Sequence, residues 1–343
     1  MKKGLPLLAV AAAALLAVTT AGAKSNDTTI SGAGSTFVAP LVAAWTPALG
    51  SAFGYTIQYS AVGSGAGIQA ITSNQVDFGA SDAPLNPAQQ QACPDCTQIP
   101  WALSAVTLAY NVPGAPTHLK LDGPTIAKIF LGQITNWNDP AITKLNPGSS
   151  MPDLKITPVF RSDGSGTSYA FTDYLSGISG DWKTKIGVST QPAFPAGIGA
   201  KGSSGVTGVV SRTNGGITYV DVAYAIKNHI KFAAVKNAAG QFLFPSLRRI
   251  IAAASAFTKV PANNEMHIVN PPKSATFGYP ISTYTYVIVH KTTPHAAELR
   301  KMIFWALTTG QTAQYAAKLT FANMATQHSV LVAAEKTLKT IHT

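Results

Sequence analysis

Residues 161–171 read RSDGSGTSYAF: an arginine, an aspartate two residues later, then Gly-Ser-Gly-Thr running into an apolar-periodic segment. The chain has only five arginines, so one set beside a carboxylate and a glycine-flanked serine calls for a chemical reason. A guanidinium presents a planar fork of donors that matches an oxyanion. A small-residue turn opening a helix adds orphan backbone N–H groups and the positive end of the helix dipole. Together they describe one wall of a site for a small tetrahedral oxyanion.

Two other places share the plan of strand, small-residue turn and helix start. They are Gly34-Ser35-Thr36-Phe37 and Gly63-Ser64-Gly65, beside Gly164-Ser165-Gly166-Thr167. Any one of them alone is an ordinary helix cap, since Ser and Thr are the usual cap residues. Three in one chain, with Arg161 next to the third, point to convergent anion-binding turns. Asp163 is near enough in sequence to pair with Arg161 and fix its guanidinium, as a support rather than a ligand; an ordinary turn-former before Gly164 is the alternative.

The elements that must position these turns are legible in part. Thr28–Ser31 reads as a short strand broken by glycines. A helix follows, with Val38, Leu41, Val42, Trp45 and Leu49 at helical spacing and Pro40 in its first turn. Residues 55–59 alternate as a strand, Ile68 and Ile71 face inward from a short helix, and a second strand ends at Asp82. This is βαβ logic and implies parallel strands covered by helices. Residues 104–112 form a long strand, and 123–148 are mostly helical with Asn, Asp, Pro and Gly stops. The RSDGSGTS segment repeats strand, turn and helix, with Ala170, Phe171, Tyr174 and Leu175 as the buried stripe. Residues 193–216 read as loop with helix starts, 215–225 as a strand entering a helix, and 236–278 show weak periodicity. A long β-branched strand at 280–291 precedes a helix pair or one bent helix over 295–319, with Leu299, Ile303, Trp305 and Ala306 inward.

Composition narrows the function classes. MKKGLPLLAVAAAALLAVTTAGA has a two-lysine start, a short apolar run and Ala21-Gly22-Ala23, the pattern of a secretory signal peptide over 1–23. No cysteine lies near that junction, so no lipid anchor is expected there. Removing Lys2 and Lys3 with the leader lowers the formal net charge from +11 to +9. The basic residues are scattered lysines, unlike the clustered faces of nucleic-acid binders, so no nucleic-acid partner is expected. The length beyond the leader suggests two domains. Cys93 and Cys96, in CPDC, are the only cysteines. In an oxidising compartment a short structural disulfide is expected, with free thiols, metal and redox roles as alternatives. No zinc site is expected from two cysteines without a spaced histidine pair. No G-x-S-x-G elbow occurs and none of the seven histidines sits in a triad context; His290 reads as structural.

GAGSTFVAPLVAAW, AVGSGAGIQAI, VDFGASDAPL, LGQITNWNDPAITKLNPG, RSDGSGTSYAFTDYL, GGITYVDVAYA and YPISTYTYVIVHK occur in order over about 30 to 330. Together they resemble the periplasmic phosphate-binding proteins of bacterial ABC-type phosphate transporters. The chain departs from that pattern in the CPDC loop and in the proline-rich 245–275 region. The resemblance implies an α/β fold of two lobes, the type II periplasmic binding protein fold, joined by two hinge strands. On this reading residues 24–108 and 284–343 form the first lobe and 109–283 the second. It implies a phosphate site made by Thr36, Phe37, Ser64, Asp82, Arg161, Ser165, Gly166 and Thr167. It also implies a monomer without cofactor that hands phosphate in the periplasm to an inner-membrane permease with its cytoplasmic ATPase. Alternatives are a receptor for another tetrahedral oxyanion or a phosphonate, and an exported phosphatase with a Ser or Asp nucleophile beside Arg161.

Asp82 is the unusual member, a carboxylate in an anion site. It repels a doubly charged ligand unless the ligand brings a proton to donate. Monohydrogen and dihydrogen phosphate do so; sulfate at neutral pH does not. Two opposed buried acceptors cost several kcal/mol, equivalent to about three orders of magnitude in affinity.

Overall fold

The computed structural model describes residues 28–343, so the expected leader lies outside the described residues. Eight strands make one sheet: β1 (Thr28–Gly34), β2 (Tyr55–Ser60), β3 (Phe78–Ser81), β4 (Cys96–Asn111), β6 (Thr157–Arg161), β7 (Ile198–Ala200), β8 (Gly216–Asp221) and β11 (Ser282–His290). Their spatial order is β2-β1-β3-β11-β4-β8-β6-β7. The short β5 (Lys120–Leu121), β9 (Ala234–Lys236) and β10 (Phe242–Leu243) form a separate three-stranded sheet.

One strand organises the whole. The first part of β4 pairs antiparallel with β11 from Cys96 to Ala105, and its second part pairs antiparallel with β8 from Val106 to Asn111. The parallel set β2-β1-β3 lies on one side and the parallel set β8-β6-β7 on the other. Since β11 is antiparallel to both β3 and β4, strand β3 runs with β4, whereas β8 runs against it. The C-terminal ends of the two sets therefore face each other across the middle of β4. Crevices at the carboxyl ends of such strands are where α/β proteins bind ligands.

Side-chain periodicity accounts for most of the packing. Helix Ala39–Phe53 buries Leu41, Val42, Trp45 and Leu49, and the Trp45 ring meets Trp101 edge-on at 5.3 Å. Helix Gly166–Ile178 buries Ala170, Phe171, Tyr174 and Leu175, and Phe171 stacks on Tyr219 at 4.4 Å. That stack fixes a tyrosine whose hydroxyl reaches the anion turns.

The chain departs from the sequence expectation in three places. Strand β1 continues through Gly32 to Gly34, because the Phe78 ring lies where a β-carbon on Gly32 would be. Strand β4 begins at Cys96, not 104, and runs through Pro100. Proline has no N–H for the ladder, and the β11 register shifts opposite it, between Thr285 and Tyr286. Only one helix, Ala296–Leu307, forms within 295–319; two short 3₁₀ turns follow, and the Gly310 carbonyl accepts from Trp45 Nε1 at 2.9 Å.

Candidate functional site

The three small-residue turns converge at the middle of β4. Ser35 follows β1 and takes two roles. Its hydroxyl donates to Asp82 Oδ1 at 2.5 Å, while its oxygen accepts from the N–H groups of Phe37 at 3.1 Å and Val38 at 3.3 Å. The Ser64 oxygen, at the start of helix Ser64–Thr72, accepts from Asp82 N–H at 3.3 Å and from Gly166 N–H at 3.0 Å. Gly65 N–H donates to the Gly164 carbonyl at 2.9 Å. The turns after β2 and β6 are thus tied to each other across the sheet's midline. Ser165 caps helix Gly166–Ile178, accepting from Ser168 N–H.

Arg161 ends β6 and is buried. Its Nε donates to Asp163 Oδ1 at 2.7 Å and its Nη2 to Asp163 Oδ2, a two-pronged pair. Asp163 Oδ1 also accepts from Gly202 N–H at 3.0 Å. Partial burial pushes the Asp163 carboxyl up, but the Arg161 guanidinium outweighs it and holds the group below the usual carboxylate range. The Arg161 N–H donates to Tyr219 Oη at 3.1 Å, and that hydroxyl also bonds Ser168 Oγ at 2.7 Å. Asp163 holds the guanidinium and Tyr219 the Arg161 backbone, which removes much of the ordering cost of using the side chain.

Asp82 follows β3. Burial pushes its carboxyl up to about 6, against the pull of Ser35, Thr285, Arg161 and Thr167. Both its close hydroxyl partners, Ser35 and Thr285 at 3.0 Å, fall on Oδ1. Thr167 Oγ1 is buried with no hydrogen-bond partner among the described residues. Thr36 Oγ1 shares a hydrogen bond of 2.9 Å with Ser203 Oγ and accepts from Ser203 N–H at 3.2 Å.

All eight residues expected at the site, and Asp163 beside Arg161, are brought together. Cys93 and Cys96 lie apart from it and are joined by a disulfide. His290 stands next to Cys93 and bonds the Ile71 carbonyl through Nε2. Five contributors were missed by sequence reasoning: Ser35, Ser203, Tyr219, Asp221 and Thr285. Ser35 lies inside the Gly34-Ser35-Thr36-Phe37 turn, beside two residues expected at the site. Asp221 stood in the quoted GGITYVDVAYA stretch, where a carboxylate ending a β-branched strand was itself a signal. Its Oδ1 caps the next helix by accepting from Tyr224 N–H at 3.0 Å, and its Oδ2 is buried without a partner. Burial pushes this carboxyl up to about 7; the Asp82 charge adds to that, and the Tyr224 N–H, Ser203 hydroxyl and Arg161 charge oppose it.

Chemically, the arrangement offers one fixed cation, several hydroxyls, three helix starts and a carboxylate acceptor in a buried setting. It suits a compact oxyanion that carries a proton.

Comparison with known proteins bears on this geometry. Residues 19–309 match the PBP superfamily domain. The phosphate-binding protein PstS of Xylella fastidiosa (strain 9a5c) is 38% identical over 292 residues, covering 84% of this chain and 80% of that protein. PstS of Pasteurella multocida (strain Pm70) is 38% identical over 292 residues, covering 83% of each. Among solved structures, the high affinity periplasmic phosphate-binding protein PfluDING, bound with phosphate, superposes with a TM-score of 0.71 at 23% identity, covering 89% of this chain and 93% of that one. The phosphate binding protein of Stenotrophomonas maltophilia gives 0.63 at 21% identity, covering 90% of both chains. The structural likenesses speak for the two-lobed α/β fold.

Proposed function

Because the chain belongs to the phosphate-binding proteins of the PBP superfamily, we propose that it captures inorganic phosphate in the periplasm and delivers it to an ABC-type permease and its ATPase. The observation that carries this reading is the convergence of the buried Arg161–Asp163 pair with Asp82 and the three small-residue turns.

In this reading Arg161 donates to phosphate oxygens while Asp163 keeps its fork in plane. Thr36, Ser64, Ser165 and Thr167 supply hydroxyl and backbone donors, and Phe37 and Gly166 supply backbone N–H groups. Asp82 accepts the ligand's own proton and so rejects sulfate. Capture proceeds by binding and closure. Ligand contacts from both lobes favour the closed arrangement over the open one.

The lobes divide along β4, with residues 24–108 and 284–343 in the first and 109–283 in the second. The protein acts as a monomer, exported by cleavage of residues 1–23 and without a lipid anchor. Among the described residues no helix is long and apolar enough to cross a membrane.

Titration calorimetry on protein unfolded and refolded to strip carried ligand tests the reading. Phosphate at neutral pH is expected to bind at micromolar Kd or tighter, about −8 kcal/mol or below, with sulfate silent. Equal binding of both anions would overturn the role of Asp82, and binding of neither would overturn the phosphate assignment.

A further inference from the structure

Arg161, Asp82 and Asp221 are the only acidic or basic side chains among the described residues that are fully buried, at 3%, 2% and 1% exposure. All three act on one another electrostatically. Asp163 already offsets the Arg161 charge. Ionised Asp82 then makes the pocket net negative before any ligand enters, and ionised Asp221 doubles that excess. A dianion brought into such a pocket meets two uncompensated carboxylates in a low-dielectric setting, where unscreened repulsion is strong.

The surroundings of Asp221 show how its charge reaches the ligand. Asp82 faces it from the turn after β3, Arg161 from the end of β6, and Tyr224 from its own helix. On β4 it is paired with the neutral Val106. Ser203, at the start of helix Gly202–Arg212, bonds Thr36 Oγ1 through its hydroxyl at 2.9 Å, and Asp221 Oδ2 is buried with no hydrogen-bond partner among the described residues. Ser203 N–H occupies one acceptor direction of Thr36 Oγ1.

We infer that Asp221 is a specificity-determining residue of the phosphate site, one whose buried, unpartnered Oδ2 holds a proton when dianionic phosphate is bound. The inference rests on the phosphate reading and deepens it. A buried carboxylate oxygen with no donor is costly to charge, and more so beside a dianion. Burial raises the Asp221 pKa to about 7, so a proton from solvent is at hand near neutral pH.

The test is calorimetric titration with inorganic phosphate at pH 8, in two buffers of different ionisation enthalpy, on the ligand-stripped protein and on Asp221→Asn. Asparagine keeps the Oδ1 that caps Tyr224. Should it fail to fold, Asp221→Ser retains a capping oxygen and takes its place. Wild type is expected to take up about one proton more than the variant on binding. Its affinity relative to the variant is expected to fall about tenfold per pH unit above pH 7. Phosphate's own ionisation is common to both proteins and cancels in the comparison. Equal proton uptake and parallel pH profiles would overturn the role of Asp221 while leaving the phosphate reading intact. A wild type that binds no phosphate would overturn both.

Discussion

Gly166 lies so close to Asp82 that a β-carbon placed on it would fall 2.6 Å from both the Asp82 β-carbon and its backbone nitrogen. The contact joins the first turn of a helix that follows β6 to the residue that follows β3. Ser64 reinforces it by accepting from the N–H groups of both residues. The approach of the two strand sets is therefore limited by a hydrogen atom, the side chain of glycine.

Gly166→Ala tests that limit. The methyl group must push the helix start away from Asp82, and overpacking of this kind costs about 1–3 kcal/mol. Since the contact spans the two sets of strands, the cost falls on ligand-bound closure more than on either set's own core. Phosphate Kd is expected to rise about 10- to 100-fold by calorimetry, with the melting temperature of ligand-free protein nearly unchanged. An unchanged Kd would show that closure does not depend on this contact.

Arg161→Lys tests the fork. An ammonium cannot bond both Asp163 oxygens in plane while presenting further donors to an anion. Asp163 would keep the Gly202 N–H and lose its two-pronged partner. Phosphate affinity is expected to drop at least about tenfold although the formal charge is kept, as one charge-assisted hydrogen bond is worth roughly 1.5–3 kcal/mol. Retention of wild-type affinity would mean that charge alone, not geometry, holds the ligand.

How much of this was legible from the chain alone depends on the range of the forces involved. The helix faces of 39–53 and 166–178 were readable because their burial follows a local period. Thr36, Ser64, Asp82 and Arg161 were readable because turn, cap and charge chemistry is written in adjacent residues. The resemblance to a known family then placed them in one site.

Ser203 was not readable. It sits in a Gly- and Ser-rich stretch whose helix gains stability from packing on β6 and β8, not from its own pattern. Thr285 is one of many β-branched residues in β11, and only the register of that strand against β3 puts its hydroxyl on Asp82. The early start of β4 was masked by Pro100, which local rules place outside a central strand. Asp221 is a helix cap, and nothing local announces that its second oxygen is buried without a partner. The Ser203 and Thr285 contacts are long-range pairings that sequence neighbours do not encode.

The two buried carboxylates also make stability depend on pH in an unusual direction. Most aspartates in folded proteins ionise more readily than in the unfolded chain, but burial raises Asp82 to about 6 and Asp221 to about 7 from an ordinary 3.8. Between those limits the native state holds protons that the unfolded state has released, so stability falls as pH rises. Their contribution is full below about 4 and is lost by about 7. Asp163, held low, works the other way, and its contribution is lost only as pH drops below the ordinary carboxylate range. His267, raised to about 9 by its bond to Asp173 and opposed by partial burial, adds a loss of the same sign between 6.5 and about 9. Ligand-free protein is therefore expected to melt roughly 5 °C higher at pH 5 than at pH 7.5 in scanning calorimetry. The Asp82→Asn/Asp221→Asn double variant removes both carboxylates and leaves the His267 share, so most of that difference is expected to vanish. A wild-type melting temperature that is flat or rises across this interval would mean that the carboxylates are hydrated in the unliganded cleft and carry no such cost.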